Sequence, residues 1–250
     1  KKFRAHSAGF VLKEMESCVE LGIRDFIIYD DTFTVNRKRV VAICRGILER
    51  KWEISWDIRA RVTTVDLELL KLMKKAGCQG IHYGIEAGTE KILRVLQKGI
   101  TIKQATEVFK MTKRLGIKTL GYFMIGSPTE TAQDIEETFR VARRLNPDFI
   151  HLTIFTPFPG TQIYFDGLKQ GVLSRDIWKE FARNPSPDFI PPHWGEMFTR
   201  QELQKMLISG YKGFYGRPGY IIKELLKVKS LSDLRRKARA GLKVLFHKSD

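Results

Sequence analysis

Residues 66–96 read DLELLKLMKKAGCQGIHYGIEAGTEKILRVL, and how this stretch divides decides the fold. The first part has helical spacing and closes at Gly77, a residue suited to the left-handed conformation that ends a helix. CQGIHYGIEA then reads as a strand and TEKILRVL as a short helix. The same beat extends in both directions, from residue 8 to residue 154. GFVLKEMESCVELG is a helix closed by Gly22, DFIIYD a strand, NRKRVVAICRGILERK a helix opened by Asn36, and EISWDIRA a strand. Beyond the central stretch come a helix closed by Gly116, the strand IKTLGYFMIG, the helix TAQDIEETFRVARRLN and the strand DFIHLTIF.

Five strands separated by helices imply right-handed crossovers and a parallel sheet, and their near-continuous hydrophobicity implies that both faces are covered. That leaves a barrel or a doubly wound sheet. No GxGxxG follows the first strand, which favours the barrel over an open dinucleotide-binding sheet. After residue 155, TPFPGT and NPSPDFIPPHWGEM concentrate Pro, Gly and aromatics and read as irregular loops, followed by a helical region to the end.

The chain of 250 residues carries a net charge of +16, of which residues 217–250 supply +7 through ten Lys or Arg against three acids. A solvated or packed amphipathic tail is the leading reading, because Leu234, Ala238, Leu242 and Leu245 recur at helical spacing. The alternative is a cluster-free barrel that binds RNA or another anionic partner through this tail. No apolar run approaches the roughly 20 residues that span a bilayer, and the expected location is cytoplasmic. Cys18, Cys44 and Cys78 lie 26 and 34 residues apart, so no local thiolate motif for zinc or iron–sulfur binding is present.

In parallel barrels, ligands bind at the carboxyl ends of the strands. Those ends read YDDTF, DIRAR, YGIEAGTE, FMIGSPTET and FTPFPGT, rich in acids, arginines and exposed backbone. Asp57, Arg59 and Arg61 share one strand face, and an arginine there either forks a ligand carboxylate or pairs with Asp30, Asp31 or Glu86. Glu86 lies between Gly84 and Gly88, which permit close approach of backbone and ligand. GSPTET combines a tight turn at Gly126 and Pro128 with Thr129 or Thr131 as a helix cap and Glu130 near the helix start.

Taken in order, GIRDFIIYDDTFT, WDIRARV, LLKLMKKAGCQGIHYGIEAGTEKIL, KGIT, GYFMIGSPTET and TPFPGTQIY resemble the radical S-adenosylmethionine (SAM) superfamily, most closely its cobalamin-dependent branch. The resemblance implies an α/β fold: a partial (β/α)6 TIM-like barrel lacking its first strand, with a C-terminal helical extension. Residues 1–165 would form the partial barrel and 166–250 the loop and basic helical extension. The family's CxxxCxxC motif is absent, so the first strand and cluster loop are expected ahead of Lys1 in a longer parent. The chain alone is expected neither to assemble the 4Fe-4S cluster nor to cleave SAM reductively. The implied function is the SAM-binding portion of a radical enzyme for methyl transfer or carbon-skeleton modification of a small molecule. By the same resemblance Asp30 or Asp31 receives the methionyl ammonium, Arg59 or Arg61 its carboxylate, and Glu86 the ribose hydroxyls or the amine. Gly126, Ser127 and Pro128 line the cofactor, and Phe155, Thr156 and Pro157 flank the adenine. Implied partners are an upstream cobalamin-type domain, cobalamin itself, and an electron donor such as flavodoxin or ferredoxin.

Overall fold

A computed structural model describes residues 4–228 and 230–245. The strands are β1 (Asp25–Ile28), β2 (Ser55–Ala60), β3 (Cys78–Glu86), β4 (Lys118–Ile125) and β5 (Phe149–Ile154). Between them run α1 (Ala8–Glu20), α2 (Arg37–Glu49), α3 (Leu67–Lys75), α4 (Glu90–Val95), α5 (Ile102–Arg114) and α6 (Ala132–Leu145). Asn36, Asp66, Thr89 and Thr101 cap the helices that follow them, each side-chain oxygen accepting a first-turn N–H. Gly22, Gly77 and Gly116 stand just past α1, α3 and α5 at φ of 84°, 99° and 66°. At Gly77 a Cβ would also lie 2.2 Å from the Ile54 carbonyl oxygen, so this turn admits no side chain.

The strands form one parallel sheet in the order β1-β2-β3-β4-β5. Each strand lies beside its sequence neighbour with no reversal, which is the winding of a TIM-like half-barrel; a doubly wound sheet would reverse direction at a switch point. The expectation that both faces are covered is corrected. Burial alternates along the strands: Trp56, Ile58, Ile81, Tyr83, Phe123 and Leu152 are buried, whereas Asp57, Arg59, His82, Tyr122 and His151 on the other face are half-buried or exposed. Among the described residues that face is only partly covered, and its alternate positions include the polar side chains of Asp57, Arg59, His82, Tyr122 and His151.

By its contacts the chain falls into two compact units. The first comprises residues up to Ile85 with Ile100–Tyr122 and Leu145–His151. Its core is anchored by large side chains that satisfy their polar atoms. The Trp56 indole N–H donates to the Ala76 carbonyl at 2.7 Å, and its ring meets Phe33 at 5.9 Å. Tyr83 lies against Phe109 at 5.2 Å and shares a 2.9 Å hydrogen bond with Thr112, both on α5. Buried Asp148 accepts the Thr119 N–H at 3.0 Å, fixing the start of β4 beside the start of β5.

The second unit comprises Glu86–Gly99, Phe123–Arg144 and residues from Leu152 onward. The region after residue 155, expected to be irregular, holds two short helices, α7 (Gln162–Lys169) and α8 (Ile177–Arg183), which Thr161 and Asp176 nucleate as N-caps. Then follow α9 (Arg200–Tyr215), α10 (Pro218–Leu226) and α11 (Leu231–Leu245). Strand β5 ends the sheet order, and its Leu152 N–H and C=O both bond the Tyr211 phenol of α9, at 2.9 and 3.1 Å. A side chain thereby satisfies edge groups that would otherwise stay unpaired. On α11, Leu234 and Ala238 are exposed; the side chains of Leu242 and Leu245 lie outside the described residues.

Candidate functional site

In the first unit, β1 stops at Ile28 and delivers Tyr29, Asp30 and Asp31 beyond the sheet edge. Asp30 does not pair with Arg59 or Arg61. Its carboxylate accepts from Arg39, on the first turn of α2, at 3.1 Å, and that guanidinium is only 9% exposed. Asp31 is exposed and, among the described residues, makes no ion pair. Arg59, near the end of β2, stacks its guanidinium 4.6 Å over the Tyr29 ring and, among the described residues, pairs with no carboxylate. Arg61 lies past the strand, at the start of the short 3-10 turn Val62–Thr64, where its carbonyl accepts from Thr64.

In the second unit, Glu86 ends β3 at φ 73°, a left-handed conformation that a non-glycine residue adopts at a cost. Its carboxylate is 18% exposed and bonds Lys98 at 2.6 Å. Gly88 serves packing: a Cβ there would lie 2.4 Å from Thr138 Cα, and the Gly88 N–H donates to Thr138 Oγ1 at 2.8 Å. The GSPTET turn follows β4 with Gly126 at φ 80° and Thr129 at φ 59°. Of the two threonines, Thr131 caps α6, taking the Asp134 N–H, while Thr129 donates its own N–H to Glu196 at 3.0 Å. Glu130 stands two residues before α6, near the helix start as expected, and turns inward. It is fully buried, accepts the Ser127 N–H at 2.8 Å, and keeps one oxygen, like the Ser127 hydroxyl, without a protein partner. Burial pushes its carboxyl up to about 7 against the pull of the Ser127 and Gly126 amides. After β5, Phe155 is buried and donates its N–H to the Ile125 carbonyl at 2.8 Å. Thr156 is half-buried, and the Pro157 carbonyl already accepts the Trp178 indole N–H at 2.9 Å.

Residues 1–142 match the family description "Radical SAM superfamily". The chain belongs to this superfamily. Among curated radical SAM relatives, the "Uncharacterized methyltransferase PH0819" of Pyrococcus horikoshii is 34% identical over 91% of this chain and 49% of its own length. An anaerobic magnesium-protoporphyrin IX monomethyl ester cyclase of Rubrivivax gelatinosus is 29% identical over 100% of this chain and 43% of its own length. The chain therefore spans about half the length, or less, of these relatives. Among solved structures, the cobalamin-dependent SAM radical enzyme OxsB, with aqua-cobalamin and SAM bound, superposes with a TM-score of 0.62 at 16% identity, covering 97% of this chain and 42% of OxsB. That likeness speaks for the radical SAM fold.

The cysteines of this radical SAM chain do not fit as ligands of a 4Fe-4S cluster. Cys18 lies on α1, Cys44 on α2 and Cys78 at the start of β3. Burial pushes the Cys44 thiol up to about 12 and the Cys78 thiol higher still, so both stay protonated, whereas cluster ligation needs thiolates. Among the described residues no group of three or more His, Cys, Asp or Glu is arranged to hold a metal. Arg39, Lys98 and Trp178, which occupy groups at the strand ends, and His82, Tyr122 and His151 carry no local motif in the sequence. Strand alternation marks the last three, since each stands two residues from a position on the open face.

Proposed function

We propose that this chain is the SAM-binding portion of a radical SAM enzyme whose reaction is methyl transfer to, or carbon-skeleton modification of, a small molecule. Residues 1–165 serve as the barrel portion and 166–250 as the extension. Glu86 carries the reading: a carboxylate at a strand end, fixed in a conformation its own backbone disfavours and paired with Lys98 through Oε1, reads as a group whose Oε2 is held for a ligand. It would take the ribose hydroxyls or the methionyl amine. In the first unit, Asp30 is already satisfied by Arg39, which favours Asp31 for the methionyl ammonium. Arg59, which makes no ion pair among the described residues, is favoured over Arg61 for the methionyl carboxylate. In the second unit, Gly126, Ser127 and Pro128 would line the cofactor, and the unpartnered Ser127 hydroxyl is a group still to be satisfied. Phe155, Thr156 and Pro157 would flank the adenine, the Pro157 carbonyl keeping one lone pair beside its bond to Trp178.

When bound, SAM supplies a sulfonium whose C–S bonds can be cleaved to a methyl or 5′-deoxyadenosyl group. No step is assigned to a 4Fe-4S cluster on these residues; its thiolates, any cobalamin and the docking of a flavodoxin- or ferredoxin-type donor are proposed to belong to the rest of the protein. The test is SAM binding to the full-length protein by equilibrium dialysis. Glu86→Gln is expected to weaken binding about tenfold, the loss of one charge-assisted hydrogen bond. Unchanged affinity in that variant refutes the assignment.

A further inference from the structure

The open face of the sheet carries a row of side chains that the proposed cofactor contacts do not use. Arg59 of β2 stands in register with His82 of β3. The His82 ring meets Tyr122 of β4 edge-on at 6.1 Å, with its Nδ1 3.4 Å from the phenol oxygen. Tyr122 in turn meets His151 of β5 at 5.4 Å and 80°. Four neighbouring strands thus contribute one residue each, all within the first unit. The inward layers of TIM-type barrels are ordinarily filled by branched apolar side chains that pack against one another. This layer is a guanidinium, an imidazole, a phenol and a second imidazole, and none of the four is buried. Such a row faces a ligand better than it fills a core.

Its hydrogen-bonding sense can be worked out. Burial holds the His82 imidazole below its ordinary value, with Asp57 pulling it back and Arg59 pressing it further down. A neutral imidazole has one donor and one acceptor nitrogen. The 3.4 Å contact admits either donor; in the tautomer whose Nδ1 accepts from the Tyr122 phenol, the hydrogen sits on Nε2 and is offered to the open face. His151, exposed beyond Tyr122, adds a second imidazole. Asp30 is held by Arg39, whereas Asp57, in register with Gly80 on this same face, sets one carboxylate at the β2 end of the row, two residues from Arg59, whose guanidinium carries the offsetting charge. Beyond that charged pair the row consists of two imidazoles and a phenol, each with a hydrogen to offer.

We propose that His82, Tyr122 and His151 form the substrate-holding layer of this protein and that it receives a carboxylate of the substrate. This rests on the SAM reading only for what the layer serves; Arg59, assigned above to the methionyl carboxylate, marks where cofactor would give way to substrate. The experiment uses the full-length protein without SAM, titrated with benzoate as the probe and with benzamide as its neutral counterpart, while the imidazole ¹⁵N signals are followed by NMR. Benzoate is expected to shift the His82 and His151 signals saturably and to raise the pH at which the His82 ring protonates, whereas benzamide does neither. His82→Gln is expected to weaken benzoate about tenfold. Tyr122→Phe, which keeps the ring and removes only the hydroxyl, is expected to weaken it as well, and it stands in if the glutamine variant does not fold. Equal response to benzamide, or imidazole signals that benzoate leaves unmoved, overturns the proposal. Because SAM is absent from the titration, failure of the cofactor reading would show separately, as loss of SAM binding with the benzoate response intact.

Discussion

Replacing Glu130 with glutamine should flatten part of the dependence of folding stability on pH. Glu130 is fully buried in the turn before α6, with one oxygen on the Ser127 N–H and the other without a partner. Its carboxyl is raised from 4.5 to about 7 in the folded chain, because burial disfavours the charged form more than the turn amides favour it. A group whose folded value is raised contributes stability that is fully present below its unfolded value and is lost as pH rises through the folded one. At about 1.4 kcal/mol per pH unit, the wild-type chain should lose about 3 kcal/mol from this residue between pH 4.5 and pH 7. Glutamine still accepts the Ser127 N–H but cannot ionise. The assay is urea unfolding, followed by tryptophan fluorescence, of both chains at a series of pH values. The stability difference between variant and wild type should shift in favour of the variant by about 3 kcal/mol from pH 5 to pH 8. A constant difference across that range would refute the burial argument, because a carboxylate that is already charged at pH 5 produces no slope there.

Two further outcomes follow from packing. Gly88→Ala places a methyl 2.4 Å from the Thr138 backbone, which cannot yield like a flexible side chain, so a loss of about 2 to 3 kcal/mol is expected by urea unfolding. Tyr83→Phe removes one buried hydrogen bond while Thr112 keeps its bond to the Val108 carbonyl, so a loss of only about 1 kcal/mol is expected by the same measurement.

The strands were legible because their signal is local. DFIIYD, EISWDIRA and CQGIHYGIEA became Asp25–Ile28, Ser55–Ala60 and Cys78–Glu86, within one or two residues, and the terminal glycines of α1, α3 and α5 took the left-handed values expected of them. The partners of the charged groups were less legible. The sequence offers Asp30 one arginine near the end of the neighbouring strand and one just past it, but the chain turns back after β1 and brings Arg39, nine residues on, to the carboxylate first. Glu86 likewise meets Lys98 from beyond α4. Gly88 looked like room for a ligand and proved to be room for a helix, a distinction that depends on where α6 lies and not on the residues beside it. His82 and Tyr122 lie in strand middles, where period-two alternation alone puts them on the open face.

The left-handed backbone of Glu86 also bears on how this protein can be engineered. Glycine at that position would relieve the disfavoured φ of 73°. It would also strip the carboxylate from the strand end and leave Lys98 without the 2.6 Å partner it has now. A library sorted only for thermal resistance or soluble yield is therefore drawn toward the residue that empties this position, and variants gathered that way should be sequenced at codon 86 before their SAM binding, proposed to use this carboxylate, is compared.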